Sequence, residues 1–163
     1  MSEPKKHGVL FVCLGNICRS PIAEAVFLDI LKKKGLENRF DVDSAAVAGY
    51  HTGKRPEKRT LETLKKYGLT DYEHRAREVS TADFRKYDVI FGMDSSNIRD
   101  LKELQRLAGE KSIAKVELLS DYDPEGTKEV PDPYYYEGNA MFDQVFAQCG
   151  RCCAAFLEST LKH

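Results

Sequence analysis

Cys13 and Arg19 are separated by five residues, and Ser20 follows directly. On a tight turn between a strand and a helix, successive backbone N–H groups point into one concavity, which takes an anion. The helix that follows adds its positive N-terminal end. Arg19 offers a planar fork of donors matched to two phosphate oxygens, and an electropositive cup of this kind favours the thiolate form of a cysteine at its rim. A cup that holds phosphoryl oxygens beneath a thiolate is built for nucleophilic attack on phosphorus. The spacing alone also fits a plainer reading, a buried strand-end cysteine followed by a solvated arginine. Its context weighs toward the cup: Cys13 ends the apolar run Val9-Leu10-Phe11-Val12, Gly15 permits an unusual backbone angle, and Ser20-Pro21 opens a helix. A nucleotide-binding G-x-x-x-x-G-K-[ST] loop would need a second Gly and a Lys that this turn lacks.

The elements around the turn follow from periodicity. Val9 to Val12 reads as a strand buried on both faces. A helix with Pro21 in its first turn carries Ile22, Ala25, Val26, Leu28 and Ile30 and stops near Gly35. Phe40 to Ala46 is a second strand, and a helix from about Pro56 to Tyr67 ends at Gly68. Ser80 and Asp83 have the spacing of a helix-entry capping pair ahead of a third strand, Val89 to Gly92. Asp94 is a good N-cap for a helix with Ile98, Leu101, Leu104 and Ala108. Val116 to Leu119 is a fourth strand, followed by a loop through Pro124, Pro131 and Pro133. The last helix lines up Phe142, Val145, Phe146, Cys149, Cys153, Phe156 and Leu157. Strands alternating with helices predict an α/β, doubly wound, four-stranded parallel sheet flanked by helices on both faces. In such sheets ligands sit at the carboxyl ends of the strands, at a topological switch point. The turn after the first strand is therefore the first place to look.

Composition narrows the function classes. The 163 residues, read as one domain spanning 1–163, are 42% hydrophobic and 31% charged, a globular balance. A chain of this size buries about 70% of its unfolded surface and needs no metal or disulfide staple. Twenty-five Lys and Arg against 26 Asp and Glu leave a formal charge of −1, which weakens the case for nucleic acid or a membrane surface as partner. No apolar run approaches the length needed to span a bilayer. The polar start Met1-Ser2-Glu3-Pro4-Lys5-Lys6-His7 lacks the apolar stretch of a secretory signal. With five cysteines, this places the expectation in the cytoplasm, a reducing compartment.

The run Val12-Cys13-Leu14-Gly15-Asn16-Ile17-Cys18-Arg19-Ser20-Pro21 resembles the signature of the low-molecular-weight protein tyrosine phosphatases. A second match, Asp132-Pro133-Tyr134-Tyr135, lies where that family carries its general acid. The resemblance extends from the first strand to the last helix. It implies that Cys13 is the nucleophile and forms a phosphocysteine, that Arg19 binds the phosphoryl oxygens, and that Asp132 protonates the leaving phenolate. Leu14, Gly15, Asn16, Ile17 and Cys18 would form the phosphate loop with Ser20, whose hydroxyl would bond the Cys13 sulfur. Asn16 would sit in a left-handed conformation, which Asn tolerates, tied by hydrogen bonds to Ser44 and His74. Tyr50, Tyr134 and Tyr135 would wall a cleft for a flat phenyl ring, with Tyr50 in place of the Trp of some members. By the same resemblance Tyr134 and Tyr135 would themselves be phosphorylation sites, and Asp94 is carried over only as a capping residue near the pocket.

Cys18 by resemblance would form a reversible disulfide with Cys13 under peroxide. For Cys149, Cys152 and Cys153, zinc would need further ligands at suitable spacing, so a place in the core is the expectation. Substrate partners implied are phosphotyrosine proteins and small aryl phosphates, with phosphate and similar oxyanions as inhibitors. No metal, other cofactor, nucleic acid or membrane is expected, and the chain is expected to be a monomer. A same-fold arsenate reductase would need shuttle cysteines, and none lies between Cys18 and Cys149. A protein-arginine phosphatase of the family carries Thr where Ile17 stands. A catalytically silent phosphate-binding module would not need Cys13, Arg19 and Asp132 together.

Overall fold

The computed structural model describes residues 5–162; the start of the polar N-terminal segment, Met1–Pro4, and His163 lie outside the described residues. Strands β1 (His7–Cys13), β2 (Phe40–Ala46), β3 (Val89–Gly92) and β4 (Lys115–Leu118) form one parallel sheet in the order β2-β1-β3-β4. The chain moves one way from β1 to β2 and the other way from β2 to β3, so the switch point lies at the carboxyl ends of β1 and β3. Cys13 is the last residue of β1. Helices α1 (Arg19–Lys33), α2 (Lys58–Lys66) and α5 (Ala140–Leu161) lie on one face, and α3 (Asp83–Lys86) and α4 (Ser95–Ala108) on the other.

The continuous apolar run of β1 follows from this double cover, because side chains alternate between faces along a strand. Val9, Phe11 and Cys13 join the core beneath α1 and α5, while Leu10 and Val12 join the core beneath α3 and α4. Phe11 stacks on Phe91 at 5.6 Å, and Phe91 meets Phe156 of α5 edge-on at 4.9 Å. A fully buried aromatic side chain contributes roughly 1.5–3 kcal/mol, so this row fixes β1, β3 and α5 together just below the turn at Cys13.

Helix α1 departs from a simple amphipathic stripe. Arg19 through Phe27 are all buried, polar Ser20 and Glu24 included, whereas Leu28 is exposed. Its first turns enter the interior beneath the loop that precedes them, and only its C-terminal half has a solvent face. Pro21 falls inside the first turn, where its missing N–H has no helical partner to lose. Gly35 and Gly68 take the left-handed conformation after α1 and α2 (φ 67° and 85°), as expected of helix-ending glycines. Ser80 donates its N–H to the Asp83 carboxylate, yet α3 itself begins at Asp83 and lasts only four residues. All five cysteines are free thiols, and Cys149, Cys152 and Cys153 are fully buried in the core. None of the described helices is long and apolar enough to cross a membrane.

Candidate active site

Residues 14–18 form a compact loop at the carboxyl end of β1, and its outward-facing carbonyls are spoken for. Cys13 O accepts from Val47 N–H, Leu14 O from Ala48 N–H, and Ile17 O from both Glu57 N–H and the Thr60 hydroxyl. With these carbonyls tied to the surrounding frame, Asn16 N–H points inward at Cys13 Sγ at 3.3 Å. Ser20 Oγ lies 3.0 Å from the same sulfur. Ser20 Oγ also accepts from Asn16 Nδ2 at 2.8 Å, which leaves its own proton free to donate to Sγ.

Asn16 is, among the described residues, the one non-glycine with a positive φ, 58°. Gly15 is not in that region, so the unusual backbone angle expected of it falls on its neighbour instead. Its lack of a side chain has another use: a Cβ there would stand 2.9 Å from the His51 ring.

Arg19 is only 3% exposed despite its charge. Nη1 donates to Asp94 Oδ2 at 2.7 Å and to Val130 O at 3.1 Å, and Nη2 approaches Asp132 Oδ2 at 3.5 Å. Burial works against the guanidinium charge, but the Cys13 sulfur, Asp94 and Asp132 outweigh it, so Arg19 holds its proton more tightly than usual. Asp94 does two jobs at once. Oδ1 caps α4 by accepting Asn97 N–H at 2.8 Å, and Oδ2 orients Arg19. Asp132, extended at φ −87°, accepts Tyr134 N–H through Oδ1 and opens a 3-10 turn over Pro133–Tyr135.

These groups meet in a cleft of about 110 Å³ lined by Cys13, Gly15, Arg19 and Asp132 at its base, and by Tyr50 and Tyr134 among the aromatic walls. Leu14, Ile17, Cys18 and Tyr135 also face it, as does His51. Asn16 and Ser20 do not; both are fully buried beneath the loop. The arrangement is a small opening lined by a sulfur, a guanidinium, a carboxyl group and aromatic rings. It has room for a tetrahedral oxyanion carrying a flat substituent, with the Cys13 sulfur and the Asp132 carboxyl lining the same space. Cys18 is buried, and burial together with the Cys13 sulfur pushes its thiol well up.

Beneath the loop lies a polar network. Asn16 Oδ1 accepts Arg77 N–H at 3.2 Å and faces His74 Nε2 at 2.7 Å, so that nitrogen carries the proton. Asn16 Nδ2 donates to Ser44 Oγ, which donates to Glu24 Oε1 at 2.6 Å, and Tyr72 OH donates to the same oxygen at 2.7 Å. Ser44 and His74 thus both contact the Asn16 side chain. Glu24 and Tyr72 extend the chain, and Asp43 faces the other His74 nitrogen at 3.9 Å. Burial pushes the Glu24 carboxyl up to about 7, against the hydrogen bonds from Ser44 and Tyr72, and burial lowers His74. Glu24, Asp43 and His74 bring ligand atoms within 4.8 Å of one another. One oxygen of each carboxylate is engaged, Glu24 Oε1 by Ser44 and Tyr72 and Asp43 Oδ2 by Arg77, and the group sits behind the loop.

The Glu24 shift has a thermodynamic sign. Between the ordinary value of 4.5 and about 7, the unfolded chain has released a proton that the folded chain keeps. Stability therefore falls as pH rises through that window, with a limiting slope of about 1.4 kcal/mol per pH unit. Gln at this position still presents Oε1 to Ser44 and Tyr72 but does not titrate. The stability of Glu24→Gln relative to wild type is expected to rise from pH 5 to 7 and level off above. Denaturant melts across that range check it, and a difference that ignores pH would mean the carboxyl is already ionised in the fold.

The low molecular weight phosphotyrosine protein phosphatase family model matches residues 8–163. A Gallus gallus low molecular weight phosphotyrosine protein phosphatase is 47% identical over 159 residues, covering 97% of this chain and 98% of that protein. Among solved structures, Primo-1 superposes with a TM-score of 0.84 at 41% identity, covering 95% of this chain and 99% of that one. DARP, a drosophila arginine phosphatase, gives a TM-score of 0.87 at 34% identity over 93% of this chain and 96% of its own. Likeness of sequence from end to end and likeness of fold converge, and the chain belongs to the low molecular weight phosphotyrosine protein phosphatase family.

Proposed function

We propose that the protein is a single-domain, metal-independent phosphatase that hydrolyses phosphotyrosine in proteins and small aryl phosphates through a phosphocysteine. The observation that carries the reading is the sulfur of Cys13, paired with the Ser20 hydroxyl at 3.0 Å and the Asn16 amide at 3.3 Å, in a cleft that Asp132 also lines. The Cys13 thiolate attacks phosphorus while the Asp132 carboxyl gives its proton to the departing phenolate oxygen. Loop amides and Arg19 carry the charge on the equatorial oxygens. Water then attacks the phosphorus, giving a proton to the Asp132 carboxylate as the phosphorus–sulfur bond breaks. The sulfur leaves as a thiolate bonded by Ser20, and inorganic phosphate departs.

Tyr50, Tyr134 and Tyr135 give the mouth its preference for an aromatic ring, and the apolar Ile17 side chain beside them has no group that would hydrogen-bond a guanidinium. The test is release of phosphate from phosphotyrosine, phosphoserine and phosphoarginine peptides in parallel. Phosphotyrosine is expected to be preferred, with free phosphate as a competitive inhibitor; a phosphoarginine preference would transfer the chain to the function in the name of its drosophila relative.

Every polar step in this scheme is assigned to a side chain or an amide, and none to a metal. Activity is accordingly expected to survive prolonged treatment with EDTA unchanged. A loss restored by adding back a divalent cation would overturn the metal-independent reading.

A further inference from the structure

The loop that bears Asp132 is held from an unexpected quarter. Arg59, in the first turn of α2, donates through Nη1 to Tyr136 O and to Gly138 O at 3.2 Å, and through Nη2 to Tyr134 O at 3.1 Å. Its guanidinium lies 4.6 Å above the buried Phe142 ring, at the start of α5. Glu57 holds the arginine in that pose, accepting its N–H at 2.7 Å and its Nε–H at 3.1 Å. The same helical turn grips the other half of the site. Glu57 N–H and the fully buried Thr60 hydroxyl both donate to Ile17 O at 2.9 Å. Residues 57–60 therefore contact the Cys13 loop on one side and the Asp132 loop on the other.

We propose that this turn is the spacer that fixes the carboxyl of Asp132 relative to the sulfur of Cys13, with Arg59 as the positioning residue for the proton donor. The inference rests on reading Asp132 as that donor. A proton donor must reach hydrogen-bond distance of the leaving oxygen in the transition state, and a misplacement near 1 Å costs about 10²-fold. At its near end the Asp132 loop is anchored by Val130, whose N–H bonds Met93 O and whose carbonyl accepts from Arg19. At its far end the carbonyls of 134, 136 and 138 all converge on one side chain, Arg59. The planar fork spreads its donors over three nitrogens, so Arg59 serves these three carbonyls and the Glu57 carboxylate at once. A lysine would keep the cation over Phe142 and lose the fork.

The test compares Arg59→Met and Arg59→Lys with Asp132→Ala. Each is measured on a phosphotyrosine peptide and on an aryl phosphate whose phenol is strongly acidic and leaves without help. Both Arg59 variants are expected to lower kcat/KM on the phosphotyrosine peptide about tenfold or more. On the second substrate the loss should stay within about threefold, with inhibition by inorganic phosphate unchanged, since the Cys13 loop keeps its own frame. Arg59→Lys retains the packing over Phe142 and keeps the comparison available if Arg59→Met folds poorly. If Asp132→Ala separates the two substrates and the Arg59 variants slow both equally, or neither, the spacer role is overturned while the donor stands. If Asp132→Ala itself fails to separate them, the donor assignment falls and the spacer role falls with it.

Discussion

Replacing Cys13 by serine is expected to stop turnover, by at least about 10³-fold, while leaving phosphate binding intact. The sulfur ends β1 with its two hydrogen-bond partners a hydroxyl, Ser20, and an amide, Asn16. Neither is a base that could remove a proton. Cysteine sulfur is an intrinsically strong nucleophile, whereas an alcohol in its place would need a base beside it, as serine hydrolases supply. The loop itself does not depend on the sulfur. Its carbonyls are tied to Val47, Ala48, Glu57 and Thr60, and Asn16 is braced by Ser44 and His74. Arg19 is likewise held by Asp94 and Val130. Calorimetric titration of Cys13→Ser with inorganic phosphate, beside a phosphotyrosine assay, checks both halves. Residual turnover within about tenfold of wild type would remove Cys13 as nucleophile.

Which parts of this arrangement can be read in one sequence depends on whether the signal is local. Strand β1 and its cysteine are visible because a strand covered on both faces reads as unbroken apolar residues, and the turn that follows keeps its chemistry within eight positions. Glu24 is invisible for the opposite reason. On α1 it reads as a solvated helix residue, and only the fold brings it Ser44 from β2 and Tyr72 from 48 positions away. Arg59 likewise reads as one more basic residue of an amphipathic helix until the carbonyls of 134–138 close over it. Asp94 is legible as a cap because capping is a contact three residues long. Its second oxygen, bonded to Arg19 across 75 positions, is not. His51 carries no periodic signal at all, and its place in the cleft follows from the room that Gly15 leaves for its ring.

Asp132→Ala carries the second large effect, and its size should depend on the substrate. Expelling a phenolate of pKa about 10 at neutral pH is difficult, and a positioned acid typically supplies about 10²–10⁴-fold. As the proposed acid, the Asp132 carboxyl is flanked by Pro131 and Pro133, accepts Tyr134 N–H and lines the same cleft as Cys13. On phosphotyrosine peptides the variant is expected to lose kcat/KM by that factor. On an aryl phosphate with an acidic phenol, kcat/KM should change little, because the first step no longer needs a proton. The second step still does. With no carboxylate to take a proton from the attacking water, the phosphocysteine formed quickly from the acidic substrate should persist, and the phenol should appear as a burst equal to the enzyme present before a slow steady rate. Rapid mixing that shows equal loss on both substrates and no burst would take Asp132 out of both proton transfers. A burst with a preserved kcat/KM on the acidic substrate would assign it to both, one carboxyl group donating in the first step and accepting in the second.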